Sequence, residues 1–154
     1  MIAVGIEMND YFMKIALEEA QKAFEKDEVP VGAVIVRNGE IIAAAHNSRE
    51  LSRDATAHAE MLAIREACEK LGGWRLIDCE MYVTLEPCPM CSGAILQSRI
   101  ERLYIGAMDP KGGAAGSLLN LFDDYHFNHE TRVEKGILQE ECSQILKDFF
   151  KRKR

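Results

Sequence analysis

Cys88 and Cys91, in the stretch LEPCPMCSGA (85–94), stand three residues apart and among prolines. Cysteines at this spacing hold a metal ion, run thiol–disulfide chemistry or pack as inert thiols. Here they fall at the start of a predicted helix that follows a predicted strand. Free N–H groups and the helix dipole favour thiolate at such a start. Residues three apart share a helix face, so both sulfurs can reach one ion. The spacing alone leaves metal and redox chemistry equally open, while inert burial suits a proline-flanked helix start less well.

The remaining ligands have to come from elsewhere. The chain has five cysteines, at 68, 79, 88, 91 and 142, and no second C-x-x-C, so it cannot build a four-cysteine zinc site on its own. Histidine is the usual supplement, and His46, His58, His126 and His129 are available. His58 also opens a predicted helix after a strand and a loop. Helix starts that follow strands gather at one edge of an α/β sheet, so His58 can meet Cys88 and Cys91. Three protein ligands with one position open is how catalytic zinc is held. Glu60, two residues after His58, need not bind the metal and still reaches the open position; taken alone, it is equally an exposed helical glutamate.

The elements that must position these residues alternate along the chain. DYFMKIALEEAQKAF (10–24) has helical apolar periodicity, with Pro30 as its expected stop. VGAVIVR and EIIAAAHN flank Asn38-Gly39, the dipeptide of a type I′ turn. Both runs are apolar on both faces, which predicts a hairpin inside a covered sheet. AHAEMLAIREACEKL (57–71) places Ala57, Met61, Ile64, Cys68 and Leu71 on one helical face and ends at Gly72-Gly73. MYVTL is a strand, and CPMCSGAILQS is a helix with Pro87 in its first turn. RLYIGAM is a strand. DPKGGAAGS is a loop whose Ser117 would cap a short helix LLNLF, TRVEKGI is an edge strand, and LQEECSQILKDFF is an amphipathic helix with Leu138, Cys142, Ile145, Leu146 and Phe149 inward. Strands alternating with helices predict a three-layer α/β/α domain around a mixed, mostly parallel five-stranded sheet, with the hairpin as its antiparallel pair.

Composition sets limits around this site. The 154 residues suffice for one domain with a real core. No apolar run approaches 20 residues, so no membrane span is expected. The start MIAVGIEMNDYF lacks the basic region of a signal peptide. An odd cysteine count points to a reducing cytoplasm rather than a disulfide framework. The net charge of −6 argues against a polyanionic partner. Against that, KDFFKRKR holds Lys147, Lys151, Arg152, Lys153 and Arg154 beside one Asp148. That tail is either a solubilising terminus or a nucleic-acid contact.

AHAEM with TLEPCPMCSGAI carries H-x-E…P-C-x-x-C, the signature of the zinc deaminases, in which the glutamate is general acid/base and not a ligand. The chain resembles the cytidine-deaminase-like superfamily. HNSRE…DATAHAE, GAMDPKGGAAGSLLNL and DFFKRKR make it similar to the bacterial tRNA-specific adenosine deaminases, from about Tyr11 to the C-terminus. The resemblance implies a homodimer that converts the wobble adenosine of a tRNA anticodon stem-loop, tRNA-Arg, to inosine. It implies one zinc per subunit on His58, Cys88 and Cys91, with Glu60 as proton shuttle and Asn47 on the flipped base.

Several readings stay paired. Asn47 is otherwise a structural turn residue. Asp109 accepts a bond from a ribose hydroxyl or simply precedes Pro110. Lys111 with its neighbouring glycines faces a phosphate or forms an ordinary loop. Phe149 and Phe150 pack the core or support a base. His46, His126 and His129 are expected to be structural, Cys68, Cys79 and Cys142 to be small buried hydrophobes, and Glu86 to cap the zinc helix. Met1 to Met8 have no assigned role and are a candidate for disorder. A deaminase of a free base such as guanine or cytosine, with the same zinc motif, is the competing reading, and a non-catalytic zinc module is disfavoured by Glu60.

Overall fold

The computed structural model describes the backbone of residues 2–124 and 126–153 and the side chains of 8–124 and 126–153. The expectation of disorder at residues 1–8 meets a helical backbone from Ile2 onward, the first turns of α1, while the side chains of 1–7 lie outside the described residues. The elements are α1 (Ile2–Glu25), β1 (Gly32–Arg37), β2 (Glu40–His46), α2 (Arg49–Ser52), α3 (Ala59–Leu71), β3 (Cys79–Leu85), α4 (Pro89–Gln97), β4 (Arg102–Ala107), β5 (Arg132–Lys135) and α5 (Gln139–Lys153). The sheet order is β2-β1-β3-β4-β5. β1 runs antiparallel to both β2 and β3, and β3, β4 and β5 run parallel. The fold is a five-stranded mixed α/β sheet between two helical layers.

Alternation along each strand sorts the core into two faces. Ala33, Ile35, Met81, Val83, Leu103 and Ile105 pack with Ala59, Ala63, Ile64 and Ala67 of α3 and Ile95 of α4. Val34, Val36, Tyr82 and Tyr104 face Phe12, Met13 and Ala16 of α1 and Cys142 of α5. Two glycines permit the close approach of the second layer. A Cβ at Gly32 would lie 1.9 Å from the Ala16 carbonyl oxygen, and one at Gly106 would lie 2.3 Å from Cys142 Sγ.

Asn38 and Gly39 both take positive φ, 51° and 79°, as the hairpin requires. β1 is covered on both faces. β2, however, is an edge strand with only Ala43 buried. Its apolar residues lean on α1 and α3, and the Ala44 N–H donates to Glu66 of α3 at 2.7 Å, which satisfies one group of the open edge.

Four local expectations need correction. α1 ends at Glu25, five residues before Pro30: Asp27 turns left-handed at φ 62° and the Glu28 N–H returns to the Ala23 carbonyl at 2.9 Å. The first-turn proline of α4 is Pro89, while Pro87 precedes the N-cap Cys88. The buried stripe of α3 is rotated toward Ala59, Ala63, Ile64 and Ala67, small residues that let the helix lie close to the sheet, and Met61, Cys68 and Leu71 are half-buried. Leu118–Phe122 form turns and a bridge, Ala115 to Asn120, instead of a helix, because Ser117 spends both its N–H and its hydroxyl on Glu86. Among the described residues no helix is long and apolar enough to cross a membrane.

Candidate metal centre and base pocket

His58 and Cys88 occupy equivalent places. Each is the N-cap of its helix, α3 and α4, with extended backbone (φ −77°, ψ 151° and φ −73°, ψ 174°). Neither side chain caps its own helix, so both turn across the gap between the two starts. Cys91 sits one turn into α4 and is fully buried. His58 Nδ1 lies 3.6 Å from Cys88 Sγ and 3.4 Å from Cys91 Sγ. The three donor atoms lie within 4.8 Å of one another, and no other such group of three occurs among the described residues.

These distances test the fit of a metal. Donors around tetrahedral zinc at Zn–S and Zn–N lengths stand about 3.6 Å apart, which matches both sulfur–nitrogen separations. One imidazole and two thiolates form a soft donor set suited to zinc.

The protonation of the site is uneven. The Cys88 thiol is lowered to about 4, first by the bond from Cys91 and then by His58. Cys91, as donor to Cys88 and buried, is pushed up. The bond to Cys88 raises His58. Glu60 is only 4% exposed, and burial pushes its carboxyl up to about 7. Cys79 and Cys142 are pushed up by burial to about 11 and about 12, as inert core thiols should be.

A cavity of about 180 Å³ opens beside this centre. His58, Glu60, Cys88, Asn47, Arg49 and Asp109 are among its lining residues, with Val29, Val31 and Leu85 as apolar wall. Asn47 donates to the Val29 carbonyl at 3.3 Å, while its Oδ1 is buried and has no partner. Asp109 lines the pocket and also accepts from the Lys111 and Gly112 N–H groups at 3.1 and 3.2 Å, so it is a turn residue as well. Lys111 is exposed.

Other candidates fall outside the pocket lining. Phe149 is 3% exposed and packs edge-on against Phe24, centroids 5.8 Å apart, so its ring is core packing. Arg152 donates to the Phe24 carbonyl and to Asp27, each at 3.2 Å, and Lys153 pairs with Asp27. Lys151 is exposed, and Arg154 lies outside the described residues. His46 bonds Glu19 at 2.9 Å and His129 bonds the Ile100 carbonyl at 2.8 Å. His126 borders a separate groove on β5.

Glu86 corrects an expectation. It does not cap α4; its carboxylate turns the other way and holds the 109–117 loop. Glu28 and the apolar wall carried no sequence signal strong enough to single them out, because their partners are remote in the chain.

A mixed sheet with a histidine and two cysteines at adjoining helix starts, and a buried glutamate beside them, defines a deaminase of the cytidine-deaminase-like type. Residues 6–154 match the MafB19-like deaminase family. The tRNA-specific adenosine deaminase of Bacillus subtilis is 56% identical over 143 residues, 93% of this chain and 89% of that protein. A structure from a study of A-to-I editing by tRNA:A34 deaminases at the wobble position of transfer RNA is similar at TM-score 0.85 and 49% identity, over 88% of this chain and 99% of that one. A guanine deaminase from Nitrosomonas europaea follows at TM-score 0.77 and 27% identity, over 91% and 83%. The chain belongs to the tRNA-specific adenosine deaminase family.

Proposed function

We propose that this chain is one zinc-dependent domain that hydrolyses the wobble adenosine of a tRNA anticodon, that of tRNA-Arg, to inosine and ammonia. The reading is carried by one juxtaposition: a buried glutamate and an unpartnered asparagine oxygen share a pocket with a His-Cys-Cys donor set. His58, Cys88 and Cys91 would hold one zinc per subunit, and the ion supplies Lewis acidity that makes water nucleophilic near neutral pH. Glu60 takes a proton from the attacking water, hands it to adenine N1 and then relays one to the departing amino group. Burial suits it to this work, since a carboxyl near pH 7 both accepts and releases protons. Asn47 Oδ1 offers an acceptor to the flipped base, and Val29, Val31 and Leu85 exclude water around it. Extrusion of a base is cheapest from a single-stranded loop.

The enzyme acts as a homodimer in the cytoplasm, by the resemblance to its family. Of the candidates for RNA contact, Lys111 and Lys151 are exposed and Asp109 lines the pocket, where it can meet a ribose hydroxyl. The competing substrate is free guanine, favoured by the net charge of −6 and by the guanine deaminase neighbour. Incubation with an anticodon stem-loop and with free guanine, cytosine and adenosine separates the two, with inosine mapping reading the stem-loop and ammonia release reading every substrate. Faster turnover of a free base than of the stem-loop would overturn the RNA reading.

A further inference from the structure

Two buried carboxylates that the proposed reaction leaves unused lie at the pocket: Glu86 is one of its lining residues, and Glu28 directly precedes the wall residue Val29. Glu28 is 1% exposed and Glu86 is 3% exposed. Neither forms an ion pair among the described residues. A buried charge of this kind is costly unless hydrogen bonds replace its water. Glu28 accepts the backbone N–H of Glu50 at 3.1 Å on one oxygen and that of Leu51 at 2.7 Å on the other. Glu86 accepts the N–H of Asp109 at 2.8 Å, of Ala115 at 2.9 Å and of Ser117 at 3.0 Å, and also the Ser117 hydroxyl.

α2 is a single four-residue turn, and the described residues of 108–131 contain no helix or strand, only the bridge from Ala115 to Asn120. Each segment bonds partly within itself, as from the Asp54 N–H to the Arg49 carbonyl and from the Gly113 N–H to the Asp109 carbonyl, but the N–H groups of Glu50, Leu51, Asp109, Ala115 and Ser117 go to the two carboxylates. Those N–H groups need acceptors, and the two carboxylates provide them. Each segment brings a residue to the pocket: Arg49 at the start of α2, Asp109 at the start of the loop. The loop backbone passes directly over Glu86. A Cβ at Gly113 would lie 2.1 Å from Glu86 Cδ, so only glycine fits there.

We propose that Glu28 and Glu86 are positioning residues that clamp the two walls of the base pocket and so set its substrate specificity. This rests on the proposed function for its substrate, but not for its geometry. Glu86→Gln and Glu28→Gln keep the shape and put an amide NH2 against a backbone N–H whichever way the side chain turns. Each should raise KM for the stem-loop by about tenfold or more while kcat stays within about threefold and zinc content stays at one per chain. Ser117→Ala removes one of the four contacts to Glu86 and should raise KM by less than about threefold. Unchanged KM in both glutamine variants, or a loss confined to kcat, overturns the clamp.

Hydrogen exchange on the wild-type chain needs no variant to fold. The amides of Glu50, Leu51, Asp109, Ala115 and Ser117 should exchange as slowly as those of β1 and β3, and exchange at the rate of free loops overturns the proposal. A wild-type enzyme inactive on the stem-loop would overturn the substrate reading instead, and the exchange pattern would then decide the clamp by itself.

Discussion

The pocket and the last turn of α5 both gather ionisable groups, and they differ in what holds those groups. At the pocket and its metal centre, Glu60 and Cys91 are out of water, and Cys91 meets His58 of the neighbouring helix start at 3.4 Å. At the end of α5, Arg152 and Lys153 lie in solvent against Asp27, beyond the end of α1, with the Arg152 guanidinium 4.4 Å from the Phe24 ring centroid. Burial is the difference: it shifts protonation in the pocket enough to do chemistry, whereas exposed pairs are screened and contribute little. A cluster of basic residues in a sequence is therefore weak support for a binding site, and a buried carboxylate beside cysteines is strong support for a reactive one.

The largest effect that could break this comparison is at Glu60. Glu60→Gln should keep zinc and fold and lose turnover by roughly 10³-fold or more. Zinc analysis together with single-turnover kinetics would check this, and loss of the metal would make Glu60 a ligand. Next is the donor set. Cys91→Ala should bring bound zinc to well under one per chain and abolish turnover, as should chelation of the wild type, with activity restored to the wild type alone by added zinc. The thiols sharpen the point through pH. Cys91 is pushed up and His58 is raised, so both hold protons in the metal-free site and must release them to bind. Zinc affinity should therefore rise with pH, by about one log unit per pH unit where only Cys91 still carries a proton, and more steeply below the His58 titration. A competition titration between pH 6 and pH 8, roughly the range over which imidazole loses its proton, measures this, and a flat profile would remove the uneven protonation from the argument.

The tail should give the smallest effect. Replacing Lys151, Arg152 and Lys153 with alanine should leave zinc and the melting temperature nearly unchanged and lower the salt slope of RNA binding by about one unit or less in total, the share of the exposed Lys151. A large loss of stability would show that the Asp27 contact holds the helices together. A large change in salt slope would return the tail to the RNA interface.

Much of the fold was legible because its signals are local. Asn38-Gly39 between apolar runs makes a hairpin, the helix start at Cys88 follows a strand that ends at Leu85, and the one at His58 follows from the helical periodicity that begins there. Pro30 misled because the chain turns earlier, through Asp27, where no proline is needed. The Leu118–Phe122 helix misled because its propensity was outweighed by Glu86, a residue 31 positions before Ser117.

The sequence by itself determined the alternation of strands and helices and singled out the candidate donor residues and the glutamate beside them, since each depends on residue type and spacing along a few turns of chain. Only the tertiary structure decided that Phe149 belongs to the core, that Arg152 and Lys153 lean on Asp27, that Asn47 donates to the Val29 carbonyl, and that Glu28 and Glu86 accept the amides of the segments bearing Arg49 and Asp109. Each of these is a contact between remote segments. Such a contact is written in the sequence only as two unremarkable residues, and it becomes physical when packing removes water from between them.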